Sequence, residues 1–546
     1  MPQDLFYITT PIYYVNDRPH IGHVYTTTVA DILARYHRLA GQEVFFLTGV
    51  DEHAAKVADA AQQRGLTPQA WADQNAAVFE QTFQRLGIAN NDFVRTSQDR
   101  HKTRVQRYVQ ELIRSGDVYA GQYEGWYDAN QEEYVTESKA KEYDYKSPIN
   151  GKPLVRKQEK NYFFRLSAYR EPLLALLERG EVIDGCRFDV QPEARKNEII
   201  ARIREMADVP ISRTGQSGWG IPVPGDPEQT IYVWIDALFN YLTFVDTDDR
   251  RRFWQAGAVH LIAKDILWFH AAIWPAILLA LRKRPGYEWV ALPSLVYAHS
   301  FWISEGQKMS KSLGNFIDLE KIDHYVQTFG LDALRYFLAS NGPMGTTDSD
   351  FAESKFVEAY NNDLANTIGN CASRVANMIG RYFDGKLPPP REGDEVNHVE
   401  VQVAGLAGRI VEQLPRAVCE QVERAVGRLN LTEAATQAVR LVQAIDAYIE
   451  KTQPFKLAKD PANLPQVGTV LYNCAEALRI ASLLLWPVMP SRMEDLWRRI
   501  GCGDYAQALA GHGRGKLQAW AKWGQLQPGT PIEKGDPLFP RHLPAA

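Results

Sequence analysis

The chain has 546 residues, 45% hydrophobic and 23% charged, with a formal net charge of -5 at pH 7. That length exceeds one hydrophobic core and predicts about three domains, and the composition is that of an ordinary soluble protein. A near balance of 61 basic and 66 acidic residues excludes a basic nucleic-acid coat protein, while an enzyme holding RNA through a local patch stays allowed.

Leu5–Thr10 predicts a buried strand, followed by a loop with Pro11, Asn16, Asp17 and Pro19. His20 then opens a helix predicted to run to Ala40. Val44–Thr48 predicts the next strand, with Asp51-Glu52-His53 just past its end, where ligands collect in parallel α/β sheets. Helical stretches follow to Ser115. From Tyr119 to Gly225, Tyr, Gly and charged residues alternate around turns at Asn150-Gly151 and Pro222–Pro227, which predicts an inserted, mixed β-rich module. The α/β pattern resumes with Thr230–Ile235 and His260–Ala263 as strands and Asp265–Arg282 as a helix. Beyond Asp350, apolar residues recur at helical spacing over 357–383, 397–427, 431–450, 467–485 and 491–499, predicting a helical bundle. A Pro- and Gly-rich tail, 524–546, follows. Cys186, Cys371, Cys419, Cys474 and Cys502 form no C-x-x-C pair, which speaks against a disulfide framework and for a reducing cytoplasm. The apolar run Ile273–Leu281 is too short to span a bilayer, and the early strand at Leu5 leaves no room for a signal peptide.

Two short motifs carry the chemistry. In His20-Ile21-Gly22-His23 the histidines share the first turn of the predicted helix, where phosphate binds well, and Gly22 leaves room for a flat ring. Alone, the pair suits phosphate donation, helix capping or metal binding. Lys308-Met309-Ser310-Lys311-Ser312 sits between Gly306 and Gly314 on a loop able to close over a polyphosphate. Alone, it also suits a solvated basic loop. In this order the two read as halves of one ATP site.

The pair resembles the HIGH and KMSKS motifs of class I aminoacyl-tRNA synthetases. Tyr7-Ile8-Thr9-Thr10-Pro11-Ile12-Tyr13-Tyr14-Val15-Asn16, Gly49-Val50-Asp51-Glu52-His53, Tyr232-Val233-Trp234-Ile235-Asp236-Ala237-Leu238 and Lys264-Asp265-Ile266 with Phe269-His270 narrow the resemblance to the methionyl-tRNA synthetase family, over residues 4–541. It implies an α/β fold: a Rossmann-type parallel-sheet catalytic domain split by a β-rich connective insertion, then a C-terminal α-helical anticodon-binding bundle. The expected divisions are 1–115 and 227–292 for the catalytic domain, 116–226 for the insertion, 293–355 for a stem-contact region with the KMSKS loop, 356–512 for the bundle and 513–546 for the tail.

The resemblance implies that L-methionine is activated by ATP and transferred to its tRNA, initiator and elongator, with release of AMP and pyrophosphate. His20 and His23 would act at the α-phosphate and Lys308 and Lys311 on the others, with Gly22 and Ser310 also at ATP and Mg²⁺ accompanying it. The methionine pocket would comprise Ile12, Tyr14, Asp51, Trp234, Ala237, Leu238, Tyr241, Ile266 and His270. A polarizable thioether suits an aromatic box, and Asp51 suits the substrate ammonium. Without the resemblance, Trp234 and Tyr241 read as core. Homocysteine is the natural error, since one methylene is worth roughly 1–3 kcal/mol in an apolar pocket.

The sequence departs from the family in its insertion. Many members carry a zinc knuckle of two C-x-x-C pairs; here the segments are Asp128-Ala129-Asn130-Gln131 and Ser147-Pro148-Ile149-Asn150. These side chains cannot supply the Cys or His set of structural zinc, so a metal-free knuckle is expected. His299-Ser300-Phe301 also stands where His-Gly is usual.

At the anticodon end, Asn366, Asn370 and Arg374 recur every four residues, a polar helix stripe able to read base edges in a single-stranded loop or simply to face solvent. The resemblance implies the reading role, and places Phe455 where an aromatic ring, usually Trp, stacks on an anticodon base. A monomer is expected. The rivals are a synthetase for another apolar amino acid, a non-catalytic tRNA-binding relative, and a small nucleotidyltransferase, which leaves the bundle unexplained.

Overall fold

A computed structural model of the chain describes residues 4–128, 133–135, 137–214, 218–310, 313–505 and 517–542. Lys311, Ser312 and Ala129–Gln131 therefore lie outside the described residues. The apolar and β-branched runs that predicted buried strands build a six-stranded sheet: β1 (Leu5–Tyr14), β2 (Glu43–Asp51), β3 (Asp92–Arg95), β4 (Asp189–Gln191), β5 (Ala258–Ala263) and β6 (Leu295–His299), in the order β3-β2-β1-β5-β6-β4. Every neighbouring pair is parallel. Such strands are buried on both faces and read as nearly continuous apolar runs. From β1 the chain builds β2 and β3 to one side and, later, β5 and β6 to the other. The strand order thus reverses between β1 and β5, and a crevice opens at their C-terminal ends.

β1 is longer than expected and its pairing with β2 shifts register between Thr9 and Ile12. Pro11 lies in that interval and has no N–H to give to a ladder. Such an irregularity re-aims the following side chains, here Ile12 and Tyr14. Helix α1 (Ile21–Leu39) then packs on the sheet.

Several expectations are corrected. Thr230–Ile235 is not a strand of the main sheet: Asp226–Ile231 pairs antiparallel in a separate small sheet, and Val233–Thr243 is helix α2. α2 is buried on nearly all sides, so its apolar run lacks the one-sided periodicity that marks a surface helix. β3, at one edge of the sheet, falls in a stretch read as helical, and β4, within the stretch read as insertion, is the other edge strand. The insertion also carries an antiparallel four-stranded sheet. In the bundle, residues 399–412 are not helix: a 3-10 turn ends at His398, and Glu400–Val403 and Leu406–Arg409 form a hairpin around Ala404 and Gly405, both at positive φ. Val399, Val401 and Val403 alternate with polar residues, a strand period. The tail returns to the bundle, with Leu538 and Phe539 buried and Asn361 exchanging two 3.0 Å hydrogen bonds with the His542 backbone.

Candidate active site

His20 caps α1 in an extended conformation (φ -137°, ψ 178°). Its Nδ1 accepts from Gly22 N–H at 3.1 Å, and His23 Nδ1 accepts from His20 N–H at 3.3 Å. Both Nδ1 atoms are thus acceptors, so each neutral ring carries its proton on Nε2, away from the helix end. The ring centroids lie 3.8 Å apart. A Cβ at residue 22 would come within 3.0 Å of the His20 ring, so glycine there serves the imidazole itself. Burial, and next the neighbouring His20, lowers the His23 pKa well below its usual value, leaving a neutral donor at neutral pH.

The lysine motif meets this helix start through its C-terminal flank. Ile21 N–H donates to Ile317 O at 3.1 Å, His20 and Asp318 form an isolated β-bridge, and the Phe316 ring stands edge-on to His20 at 5.2 Å. Exposed Lys308 lies on a short strand paired with Trp302–Ser304. Asn315 braces the loop: its Oδ1 accepts from Ser310 N–H at 2.8 Å and its Nδ2 donates to Lys308 O at 3.2 Å.

A cavity of about 590 Å³ fills the crevice, lined by His20, Gly22, His23 and every residue expected to form the methionine pocket. Asp51, expected just past β2, is its last residue, paired in register with Tyr14 and 2% exposed. Trp234 stacks on Phe269 at 4.3 Å, with Tyr14 edge-on to it at 6.0 Å. Tyr241 O–H donates to His270 Nε2 at 2.8 Å, and His270 Nδ1–H donates to Ile266 O at 3.0 Å. Burial lowers the His270 pKa to about 4. This neutral, fully engaged pair presents ring surface to the cavity rather than unmet polarity.

His270 does not sit on one long helix from Asp265. A 3-10 turn (Lys264–Ile266) and a π-turn (Phe269–Ile273) precede helix α3 (Trp274–Arg282). π-turns recur at functional sites, and Pro275 already removes a ladder donor here.

Sequence reasoning missed the layer behind this wall. Asp236 accepts from His53 Nδ1 at 2.6 Å and pairs with His101 Nε2 at 2.7 Å, all three buried. Burial raises the Asp236 pKa, but His53 and His101 outweigh it and hold it at about 2. Glu52, also buried, accepts from Arg95 Nε at 2.7 Å and Ser97 N–H at 3.0 Å. The carboxylates lie on motif segments, but their partners are far away in sequence and give no periodic signal.

A model of the family described as tRNA synthetases class I (M) matches residues 6–143 and 139–376. The chain belongs to the class I methionyl-tRNA synthetases. A methionine–tRNA ligase of Caldanaerobacter subterraneus subsp. tengcongensis is 39% identical over 544 residues, 98% of this chain and 78% of its own length. One of Streptomyces coelicolor is 39% identical over 98% of this chain and 96% of its own. The Mycobacterium tuberculosis methionyl-tRNA synthetase, solved in complex with methionyl-adenylate, superposes with a TM-score of 0.84 at 32% identity, covering 98% of this chain and 100% of that one.

At the far end of this synthetase fold, Asn366 and Asn370 are exposed and Arg374 is half-buried. Tyr360–Gly369 is a π-helical stretch leading into the helix Asn370–Tyr382, so Asn366 precedes the regular stripe. Arg374 pairs with Asp446 and Glu450 on helix α5 (Leu431–Thr452), just before Phe455, which is 37% exposed.

Burial also lowers the pKa of His260 well below its usual value, and those of His37 and His299 to about 4. With His23 and His270, these rings take up protons in the unfolded chain below about pH 6.5 while the folded chain excludes them. Stability is therefore full above that pH and falls toward pH 4, at about 1.4 kcal/mol per pH unit for each such ring. Urea midpoints should drop steeply between pH 7 and 5; a flat profile would contradict the neutral assignments.

Proposed function

We propose that the chain activates L-methionine with ATP to methionyl-adenylate and transfers the acyl group to tRNA for methionine, initiator and elongator. What carries the reading is one cavity, at the strand-order reversal between β1 and β5, where the His20–His23 helix start and the aromatic pocket around Tyr241 and His270 converge. The family membership supports it, as does the adenylate complex of the mycobacterial relative.

Asp51 takes the substrate ammonium, and the aromatic box takes the thioether. His20 and His23 donate from Nε2 to the α-phosphate as the carboxylate attacks, while Lys308 and Lys311 take the β- and γ-phosphates. No side-chain nucleophile is needed: catalysis is positioning plus charge stabilisation. Mg²⁺ enters with ATP. Among the described residues no group of three His, Cys, Asp or Glu is placed to hold a metal, and phosphate oxygens and water suit a hard ion.

Methionine-dependent exchange of pyrophosphate into ATP, assayed with each of the twenty amino acids, tests the reading. Methionine alone should support it; exchange driven by another amino acid overturns it.

The anticodon roles of Asn366, Asn370, Arg374 and Phe455 belong to the same proposal. Phe455→Ala should lower tRNA charging about tenfold, the loss of one stacked base, and leave methionine-dependent exchange intact. Equal losses in both assays would remove the stacking role.

The knuckle is proposed to hold no zinc. Ser147 Oγ accepts from Ile149 N–H at 3.3 Å and Asn150 Oδ1 accepts from Lys152 N–H at 2.9 Å. Side chains at two positions that match the family's cysteines therefore brace the turn. Chelator-washed protein should contain no stoichiometric zinc by elemental analysis. A cytoplasmic monomer completes the proposal; among the described residues no helix is long and apolar enough to cross a membrane.

A further inference from the structure

Two cavities meet at His20. The larger holds the pocket described above. A second, of about 390 Å³, lies between the loop Asp17–Pro19 and the return of the lysine loop, Gly314–Lys321. Asp17, Arg18, His20 and Phe316 border both. Among the described residues lining the larger cavity, Arg18 is the one lysine or arginine.

We propose that Arg18 is a phosphate-contact residue, binding the pyrophosphate end of ATP and the pyrophosphate product. The inference rests on the adenylate-forming reading. A triphosphate with its α-phosphate over His20 and His23 must place its β- and γ-phosphates beyond them, and the second cavity begins there. The described wall of that cavity carries Asp17, Asp318 and Glu320, which repel an anion. Its Lys321 is engaged, donating from Nζ to Gly314 O at 2.9 Å. Burial keeps the His23 ring neutral, so it adds no charge to what Lys308 and Lys311 bring to these phosphates. The permanent cation at the shared border is Arg18, whose planar donor fork fits phosphate oxygens.

Its backbone is held for the task. Asp17 Oδ1 accepts from Arg18 N–H at 2.8 Å, and Pro19 restricts the preceding residue to extended conformations. The exposed side chain therefore starts from a fixed point beside His20.

The test compares the unaltered chain with Arg18→Gln and Arg18→Lys in methionine-dependent pyrophosphate exchange and in tRNA charging. Arg18→Gln should raise KM for ATP and for pyrophosphate about tenfold, the worth of one charge-assisted hydrogen bond, with KM for methionine unchanged. Arg18→Lys should recover part of the loss. Unchanged ATP and pyrophosphate constants in Arg18→Gln overturn the proposal. So does a defect confined to tRNA charging, which would assign Arg18 to the acceptor end, or an equal rise for methionine. Absence of exchange in the unaltered chain overturns the adenylate-forming reading and this one together, and is thereby distinguished from a failure of Arg18 alone.

Discussion

His23→Ala is expected to slow methionyl-adenylate formation about 100- to 1000-fold, the effect of losing one preorganised donor to a developing oxyanion, with methionine affinity unchanged. His23 Nδ1 is occupied by the His20 N–H, and the ring is kept neutral by burial. In the proposed role, donation comes from a neutral Nε2–H, which requires no protonation. The sign of the pH dependence follows: because the folded pKa is lowered, His23 stays competent as pH rises through its ordinary value. An imidazolium donor would instead be lost across that range. Single-turnover adenylate formation, followed by rapid quench from about pH 6.5 to 8.5, should be flat in the unaltered chain. A rate that falls as pH rises through 6.5 would assign the role to the charged ring. Loss of methionine binding in parallel with rate would place His23 in the amino-acid pocket instead.

The placement of residues around this crevice was legible where a residue type and a local position coincide. His20 and His23 three apart declare a shared helix start, and Asp51 falls at a strand end beside the cavity. The aromatic wall was legible only through the family resemblance, since Trp234 and Tyr241 read equally well as core. Elements failed to show where two periods compete. α2 is buried on nearly all sides and mimics a strand, while the Glu400–Arg409 hairpin was absorbed into a helical window. The π-turn that carries His270 has no composition of its own. The pairing of Asp236 with His53 and His101 depends on three segments meeting in space, as does the junction of Ile21 with Ile317. That junction brings the flank of the lysine loop to the histidine helix, and neither spacing nor propensity encodes it.

The second large effect concerns how α1 is held. Arg335 lies on helix α4 (Leu331–Asn341) and is 1% exposed. Its Nη2 donates to Asp31 Oδ2 on α1 at 2.7 Å and to Pro487 O at 3.0 Å, and its Nε donates to Val488 O at 3.0 Å. One guanidinium thus ties the helix that begins at the histidine motif to the turn closing the bundle's long helix Leu464–Leu485. Burial raises the Asp31 pKa, but Arg335 and Arg35 outweigh it and hold the carboxyl below its usual range. Arg335→Met keeps much of the volume but removes the donor of three carbonyls, Leu86, Pro487 and Val488, and leaves Asp31 paired with Arg35. Breaking a buried pair in this way costs about 3–5 kcal/mol. The exposed Arg498–Glu533 pair, with side chains 55% and 60% accessible, is the internal control: Glu533→Gln should leave the urea midpoint nearly unchanged. Urea unfolding followed by circular dichroism separates the two. A loss below about 1 kcal/mol for Arg335→Met would mean that the buried network relaxes around the gap, and that α1 is held by apolar packing alone.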